Sequence, residues 1–234
     1  MRTMETVQIE NYSLCYRTDS HDRSIIEEVW EKGAYSKHFR VGKRAVILDI
    51  GGHNGYFAVY AAHNTAEGSR IYCYEPMTDN FAILVENLKR NRVDKVEARQ
   101  CCIGAVDGTL TMYVNSAHTG GHSQYRERIE KYHLDHIEEV SCPCIALEHA
   151  VPADVREIDY CKIDCEGAEF DILLKAPPEF LKKIAVYAME FHEFGGHKVG
   201  ELIELFEKLG YTVTHSFTPS KLGISFGELL AVRN

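Results

Sequence analysis

The sequence predicts a doubly wound α/β fold, a mostly parallel sheet with an antiparallel strand pair at its C-terminal edge. Two observations carry this. From residue 45 onward short β-rich runs alternate with helical patterns, and the runs 45–50 (AVILDI), 71–75 (IYCYE) and 184–191 (IAVYAMEF) are almost wholly apolar. Strands covered by helices on both faces read that way, because neither side meets water. The last two runs, 211–217 and 226–232, follow one another with no helix between them, so they pair antiparallel at one edge.

Each element has its own reason. Residues 1–44 form an N-terminal extension packing on a core of 45–234, with a strand over 7–16 and a helix around Ile25, Ile26, Val29 and Trp30 capped by Ser20 or Asp22. Strand 45–50 ends at Gly51-Gly52, and a helix runs from near Gly55 to about Ala66, closed by Gly68. Pro76 ends the second strand, 71–75. In 78–91, Phe81, Leu84, Val85 and Leu88 fall at i, i+3, i+4 and i+7, which makes one helical face. A third strand is expected over 96–103, with Asp107-Gly108 turning a hairpin into 109–114. Residues 115–140 are charged, His-rich and open with Thr119-Gly120-Gly121, and are expected to be a mobile insert covering the site. A fourth strand, 158–163, leads to a short helix that Pro177-Pro178 must end. After 184–191, Val199, Leu202, Ile203, Phe206 and Leu209 stripe a helix that Gly210 closes.

Composition narrows the function. With 26 Lys+Arg against 35 Asp+Glu the net charge is −9, which repels nucleic-acid phosphates and anionic membranes. No apolar run reaches the ~20 residues needed to span a bilayer, so a soluble cytoplasmic protein is expected. Eight cysteines without a C-x-x-C pair read as reduced core thiols, not a zinc site or a disulfide framework.

Chemistry concentrates where strands end. Ligands of open α/β sheets bind beyond the carboxyl ends of the strands, so the turn Asp49-Ile-Gly-Gly-His-Asn-Gly55 is the first candidate. It fails the dinucleotide pattern G-x-G-x-x-G in every register. Asp49 would repel a pyrophosphate and suits a ligand with an ammonium or sulfonium group. Glu75 ends the second strand, where an acid accepts from both hydroxyls of a ribose. A nucleoside with a positive centre and no pyrophosphate follows. S-adenosylmethionine fits that description, whereas NAD and ATP fit it poorly. Asp164, Glu166 and Glu169 fall within six residues at the end of the fourth strand, and Glu190 and His192 share one face of the fifth. A hydroxyl acceptor needs its proton removed, for which His192 is suited near neutral pH, with Glu190 to orient it. Asp164, Glu190 and His192 also offer oxygen-rich divalent-metal ligands, a reading set behind the metal-free one.

The D-x-G-x-x-x-G turn with Glu75 resembles class I S-adenosylmethionine-dependent methyltransferases, and Lys162-Ile-Asp-Cys-Glu-Gly-Ala-Glu169 is similar to the signature of the FkbM family. Met189-Glu-Phe-His192 and Leu209-Gly-Tyr-Thr-Val213 resemble the same family, which commonly has Leu-Asp where this chain has Leu147-Glu148. The resemblance implies a Rossmann-like class I methyltransferase fold. It implies cofactor contacts from Asp49, Gly51, Gly52, Asn54, Gly55, Glu75, Pro76, Cys102, Ile103 and Asp164, and catalytic roles for His192, Glu190 and Glu166. The expected activity is O-methylation of a small hydroxylated molecule such as a sugar, glycoside or natural-product intermediate. A non-catalytic S-adenosylmethionine-binding protein is the second reading. A nicotinamide-dependent oxidoreductase is the third, and the glycine pattern counts against it.

Overall fold

The structure is a computed structural model and describes residues 3–36, 38–39, 42–114, 120–131, 137–218 and 225–234. In chain order it contains β1 (Met4–Ile9), β2 (Tyr12–Arg17), α1 (Asp22–Trp30), β3 (Val46–Ile50), α2 (Tyr56–Asn64), β4 (Arg70–Tyr74), α3 (Thr78–Arg90), β5 (Val96–Arg99), β6 (Cys102–Gly104) and β7 (Gly108–Val114). There follow α4 (Arg126–Glu130), β8 (Glu138–Ala146), a single 3-10 turn at Leu147–His149, β9 (Tyr160–Ile163), α5 (Glu169–Lys175), α6 (Pro178–Leu181), β10 (Val186–Glu193), α7 (Val199–Lys208), β11 (Tyr211–His215) and β12 (Ser225–Arg233).

Seven strands make the main sheet, in the order β11-β12-β10-β9-β3-β4-β5. Pairings from β5 to β10 are parallel, and β12 runs antiparallel to both β10 and β11. This is the doubly wound, mostly parallel α/β sheet with an antiparallel C-terminal edge that the sequence predicts. The apolar runs are explained by two-sided burial. Ile47, Ile71, Cys73, Tyr160 and Ala188 face a cluster with α2 and α3. Their neighbours Leu48, Tyr72, Tyr74, Cys161 and Tyr187 face the opposite cluster with α5 and α7. The chain moves outward from β3 through β4 to β5 and then returns to β9 on the other side of β3. A cleft opens at such a reversal.

The structure corrects three expectations. The strand expected over 7–16 is a hairpin: β1 pairs antiparallel with β2, and Glu10 turns the chain at φ +52°. Two asparagines spaced one helical turn apart, Asn87 on α3 and Asn91 just past its end, hold it. Asn91 pairs its amide with the N–H and C=O of Ser13, and Asn87 does the same for Cys15. The third strand, 96–103, is divided between two sheets. β5 ends the main sheet, while β6 joins a three-stranded sheet of order β6-β8-β7. For that reason Asp107-Gly108 does not close a hairpin. It crosses the end of β8, where the Asp107 carboxylate accepts from the Ala146 amide at 2.8 Å.

The insert at 115–140 is described over 120–131 and from 137. Its described part is anchored: Ile129 and Arg128 are 1% and 2% exposed, and Tyr125 donates to Asp171 at 2.5 Å. Residues 115–119 and 132–136, where a mobile cover was also expected, lie outside the described residues. All eight cysteines are free thiols, seven of them buried. Among the described residues no helix is long and apolar enough to cross a membrane.

Candidate active site

A cavity of about 420 Å³ opens at the carboxyl ends of β3, β4, β9 and β10, within the range of small-molecule sites. Its floor is the glycine turn after β3. Gly51 has φ +78°, and a Cβ there would lie 1.8 Å from the Asp164 carbonyl oxygen, so only glycine lets the end of β9 close on the turn. A Cβ on Gly52 would reach within 2.3 Å of Cys73 Sγ.

Glu75, just beyond β4, is 5% exposed and lines the cavity. One carboxylate oxygen accepts from the His53 amide at 2.8 Å, the other from the Met77 amide at 2.9 Å and Asn80 Nδ2 at 3.3 Å. Burial pushes its pKa up, against the pull of those donors. Pro76, Cys102 and Ile103 line the same end, with Met77, Leu110 and Met112 completing an apolar wall.

Three residues expected at the cofactor, Asp49, Asn54 and Gly55, do not line the cavity. Asp49 is fully buried and its charge is spent on Lys162, whose Nζ is 3.4 Å away. Burial raises the Asp49 pKa, with Lys162 opposing. Burial pulls the Lys162 ammonium down, but Asp49 and Asp164 outweigh it and its pKa is raised. Lys162 also donates to the Gly51 carbonyl at 2.5 Å, so the pair braces the turn from beneath. The opposite charge expected for a ligand is therefore not offered by Asp49. Asn54 is wholly buried, accepting from Arg17 and donating to the Tyr56 hydroxyl. Gly55 lies beneath Leu84.

The other end of the cavity is ionic. Asp164, Glu166, Glu190 and His192 all line it, as expected from their strand ends. The His192 ring is 4% exposed. Its Nε2 faces Glu190 at 3.1 Å and Glu166 at 3.5 Å, and its Nδ1 faces Glu169 at 3.4 Å. Burial works against a charged ring, yet Glu166, Glu169 and Glu190 outweigh it and hold its pKa well above 6.5. The three carboxylates thus favour the charged ring over the free base. Glu166 is raised by burial, with Arg128 and His192 opposing. Arg128 of α4 pairs with Glu166.

Glu169 has a second task. Its carboxylate accepts from the backbone amides of Cys165 at 2.9 Å and Gly167 at 3.0 Å, as an acid at a helix start does. Those donors and His192 together occupy it. Donor atoms of Asp164, Glu169 and His192 lie within 4.8 Å of one another, so the group that converges has Glu169 where Glu190 was expected.

Several contributors gave no usable signal in the sequence. Tyr35 donates to Asp164 at 3.0 Å, from a loop with no motif. His21, Ser24, Ile25 and Glu28 form one cavity-facing stripe of α1 and its cap, but its mixed polarity resembles an ordinary exposed face. Lys162 was readable: a lysine inside an apolar strand needs a buried partner.

The methyltransferase FkbM domain family matches residues 49–213. "Methyltransferase 1" of Beauveria bassiana is 27% identical over 143 residues, 54% of this chain and 56% of that protein. The AMB antimetabolite synthetase AmbE of Pseudomonas aeruginosa is 27% identical over 203 residues, 72% of this chain and 9% of that protein. The chain therefore spans little more than half of the first relative and a small part of the second. The solved structure of precorrin-6y C5,15-methyltransferase from Geobacter metallireducens is similar in fold, with a TM-score of 0.51, 11% identity and 97% coverage of both chains.

Proposed function

This chain belongs to the methyltransferase FkbM domain family, and on that premise we propose that it transfers a methyl group from S-adenosylmethionine to a hydroxyl of a small molecule, a sugar, glycoside or natural-product intermediate. The observation that carries the reading is one cavity with two unlike ends, Glu75 at one and His192 ringed by carboxylates at the other. S-adenosylmethionine, when bound, supplies a methyl group on positively charged sulfur. The residues present suit it: Glu75 has lone pairs for vicinal hydroxyls, Met77 and Ile103 offer apolar surface for a purine, and Asp164 is an acid for an ammonium group. The match to part of an antimetabolite synthetase favours a small-molecule acceptor over a polymer. A net charge of −9 counts against nucleic acid as the acceptor.

Methylation of a hydroxyl at this site would require that the hydroxyl give up its proton to a side chain of the cavity. His192 is built to handle that proton through one atom. Because the Glu169 carboxylate faces Nδ1 and already accepts two backbone N–H groups, Nδ1 keeps its hydrogen and Nε2 is the atom that exchanges with the cavity. Glu190 and Glu166 flank Nε2 and hold its proton until solvent takes it, which frees the ring to act as base. The divalent-metal reading stays behind this one, because Glu169, in the group that converges, is fully buried.

The test is release of S-adenosylhomocysteine from S-adenosylmethionine across a panel of hydroxylated sugars, glycosides and polyketides. Acceptor-dependent release is expected. Tight cofactor binding with no release on any acceptor would favour the non-catalytic reading.

A further inference from the structure

Arg17 lies at the end of β2, outside the span matched by the family, yet its side chain is 2% exposed and contacts two residues that line the cavity, His53 and Asn80. Its Nε and Nη2 take both oxygens of Asp22, at 2.8 and 3.0 Å, and Nη2 also donates to Asn54 Oδ1 at 3.0 Å and Asn80 Oδ1 at 2.8 Å. Nη2 is 3.4 Å from His53 Nε2. The two residues that Arg17 meets on the cavity wall, His53 and Asn80, are the same two that hold Glu75 alongside the Met77 amide.

We propose that Arg17 is a positioning residue that sets the Glu75 carboxylate for the ribose hydroxyls of the cofactor. The proposal rests on the reading of Glu75 as the ribose acid.

Two arms carry the effect. The first is the Asn80 amide, which has one acceptor end and one donor end. With its oxygen fixed on the guanidinium, its Nδ2 must face Glu75. Released from Arg17, the amide can turn its oxygen toward the carboxylate and repel it. The second arm is His53, whose backbone N–H donates to Glu75 while the residue holds φ +48°, a conformation that costs free energy for a side chain of this kind. Its ring, kept neutral by burial with a pKa of about 4, is held beside Arg17 and Asp22. Asp22 completes the device. Burial raises its pKa, but the Arg17 hydrogen bonds, joined by His53 once that ring is charged at low pH, outweigh that and hold it at about 2, so the buried guanidinium keeps its counter-charge. Lysine cannot replace this arginine, because a single ammonium cannot grip both oxygens of Asp22 while also reaching Asn80.

The experiment titrates S-adenosylhomocysteine into the full chain by calorimetry for wild type, Arg17→Lys, Glu75→Gln and the double variant, with a melting curve for each. A parallel titration uses an analogue lacking the 2′- and 3′-hydroxyls. Arg17→Lys should weaken S-adenosylhomocysteine about tenfold, with the double variant no weaker than Glu75→Gln alone, because the two residues act as one unit. The analogue should bind wild type and Arg17→Lys alike. Equal affinity of wild type and Arg17→Lys for S-adenosylhomocysteine overturns the proposal, and so does an equal loss for both ligands, which marks a general structural role. If Arg17→Lys does not fold, Asn80→Ser cuts one arm while keeping the Arg17–Asp22 pair, and the same hydroxyl-dependent loss is expected or its absence is decisive. No binding to wild type at all removes the cofactor reading itself, an outcome distinct from the others.

Discussion

At the scale of the residue, Glu75 and His192 are both buried acid–base groups, but their surroundings give them opposite tasks. Glu75 accepts from two backbone amides and a side-chain amide, which fixes it as a hydrogen-bond acceptor. Glu75→Ala should weaken S-adenosylhomocysteine by ~1.5–3 kcal/mol, the worth of hydrogen bonds to a charged group, as read by calorimetry. Unchanged affinity would place the ribose elsewhere. His192 faces three carboxylates and its pKa is raised, so it loses its second proton at a higher pH than a free imidazole does. Turnover should therefore rise with pH on the alkaline side. The contribution of His192 to stability has the opposite sense: it is complete below the unfolded value of about 6.5 and fades as pH climbs through the raised folded value. His192→Ala should lower turnover by ~10²–10⁴-fold and erase the alkaline limb, with cofactor affinity little changed. A variant that kept both rate and limb would pass the role of base to Glu166 or Glu190. His122 of the insert also lines the cavity, whereas His118 lies outside the described residues.

At the scale of the element, what was legible depended on whether a run had one structural meaning. β3, β4 and β10 were readable because burial on both faces demands apolar residues throughout. β8 was missed because Pro143 interrupts Ser141-Cys-Pro-Cys144, and proline argues against a central strand. Its place opposite Thr109 in β7 depends on a partner distant in sequence. The β1–β2 turn was missed because Glu10 and Asn11 carry no glycine to mark it. On the site, strand-end acids and the glycine turn were visible as spacing, whereas Asp49 misled: its charge was readable but Lys162 beneath it was not connected to it. The asparagines of α3 and its C-terminal cap looked like ordinary helix-surface residues, yet Asn87 is fully buried and also donates to the Asn54 carbonyl at 2.9 Å. Asn87→Ala would leave the Cys15 N–H and C=O without that partner, and should cost ~1–3 kcal/mol. Urea unfolding reads this as a lower midpoint at unchanged slope. Asn91→Ala, at a half-buried position, should cost less; equal losses would mean that burial does not set the cost.

At the scale of the molecule, the cavity is assembled from parts far apart in the chain: α1, the turn after β3, the strand ends of β4, β9 and β10, and Phe226 of β12. No local segment carries the site, so a ligand that fills it binds the folded state alone and must raise its stability. At a hundredfold excess over the dissociation constant the gain is about 2.7 kcal/mol. A chain of 234 residues shifts its melting temperature by about 2–4 °C per kcal/mol, so S-adenosylhomocysteine at that excess should raise it by about 5–10 °C. NAD should leave it unchanged: the turn lacks the G-x-G-x-x-G spacing, and Gly51 and Gly52 are committed to close packing against Asp164 and Cys73, which leaves a pyrophosphate no cradle of its own. Glu75→Ala at the same ligand concentration should show a smaller shift than wild type, because its dissociation constant rises while the ligand does not. Equal shifts from NAD and S-adenosylhomocysteine would mean that the cavity recognises only the adenosine common to both, and that nothing beyond the ribose selects the sulfur-bearing arm.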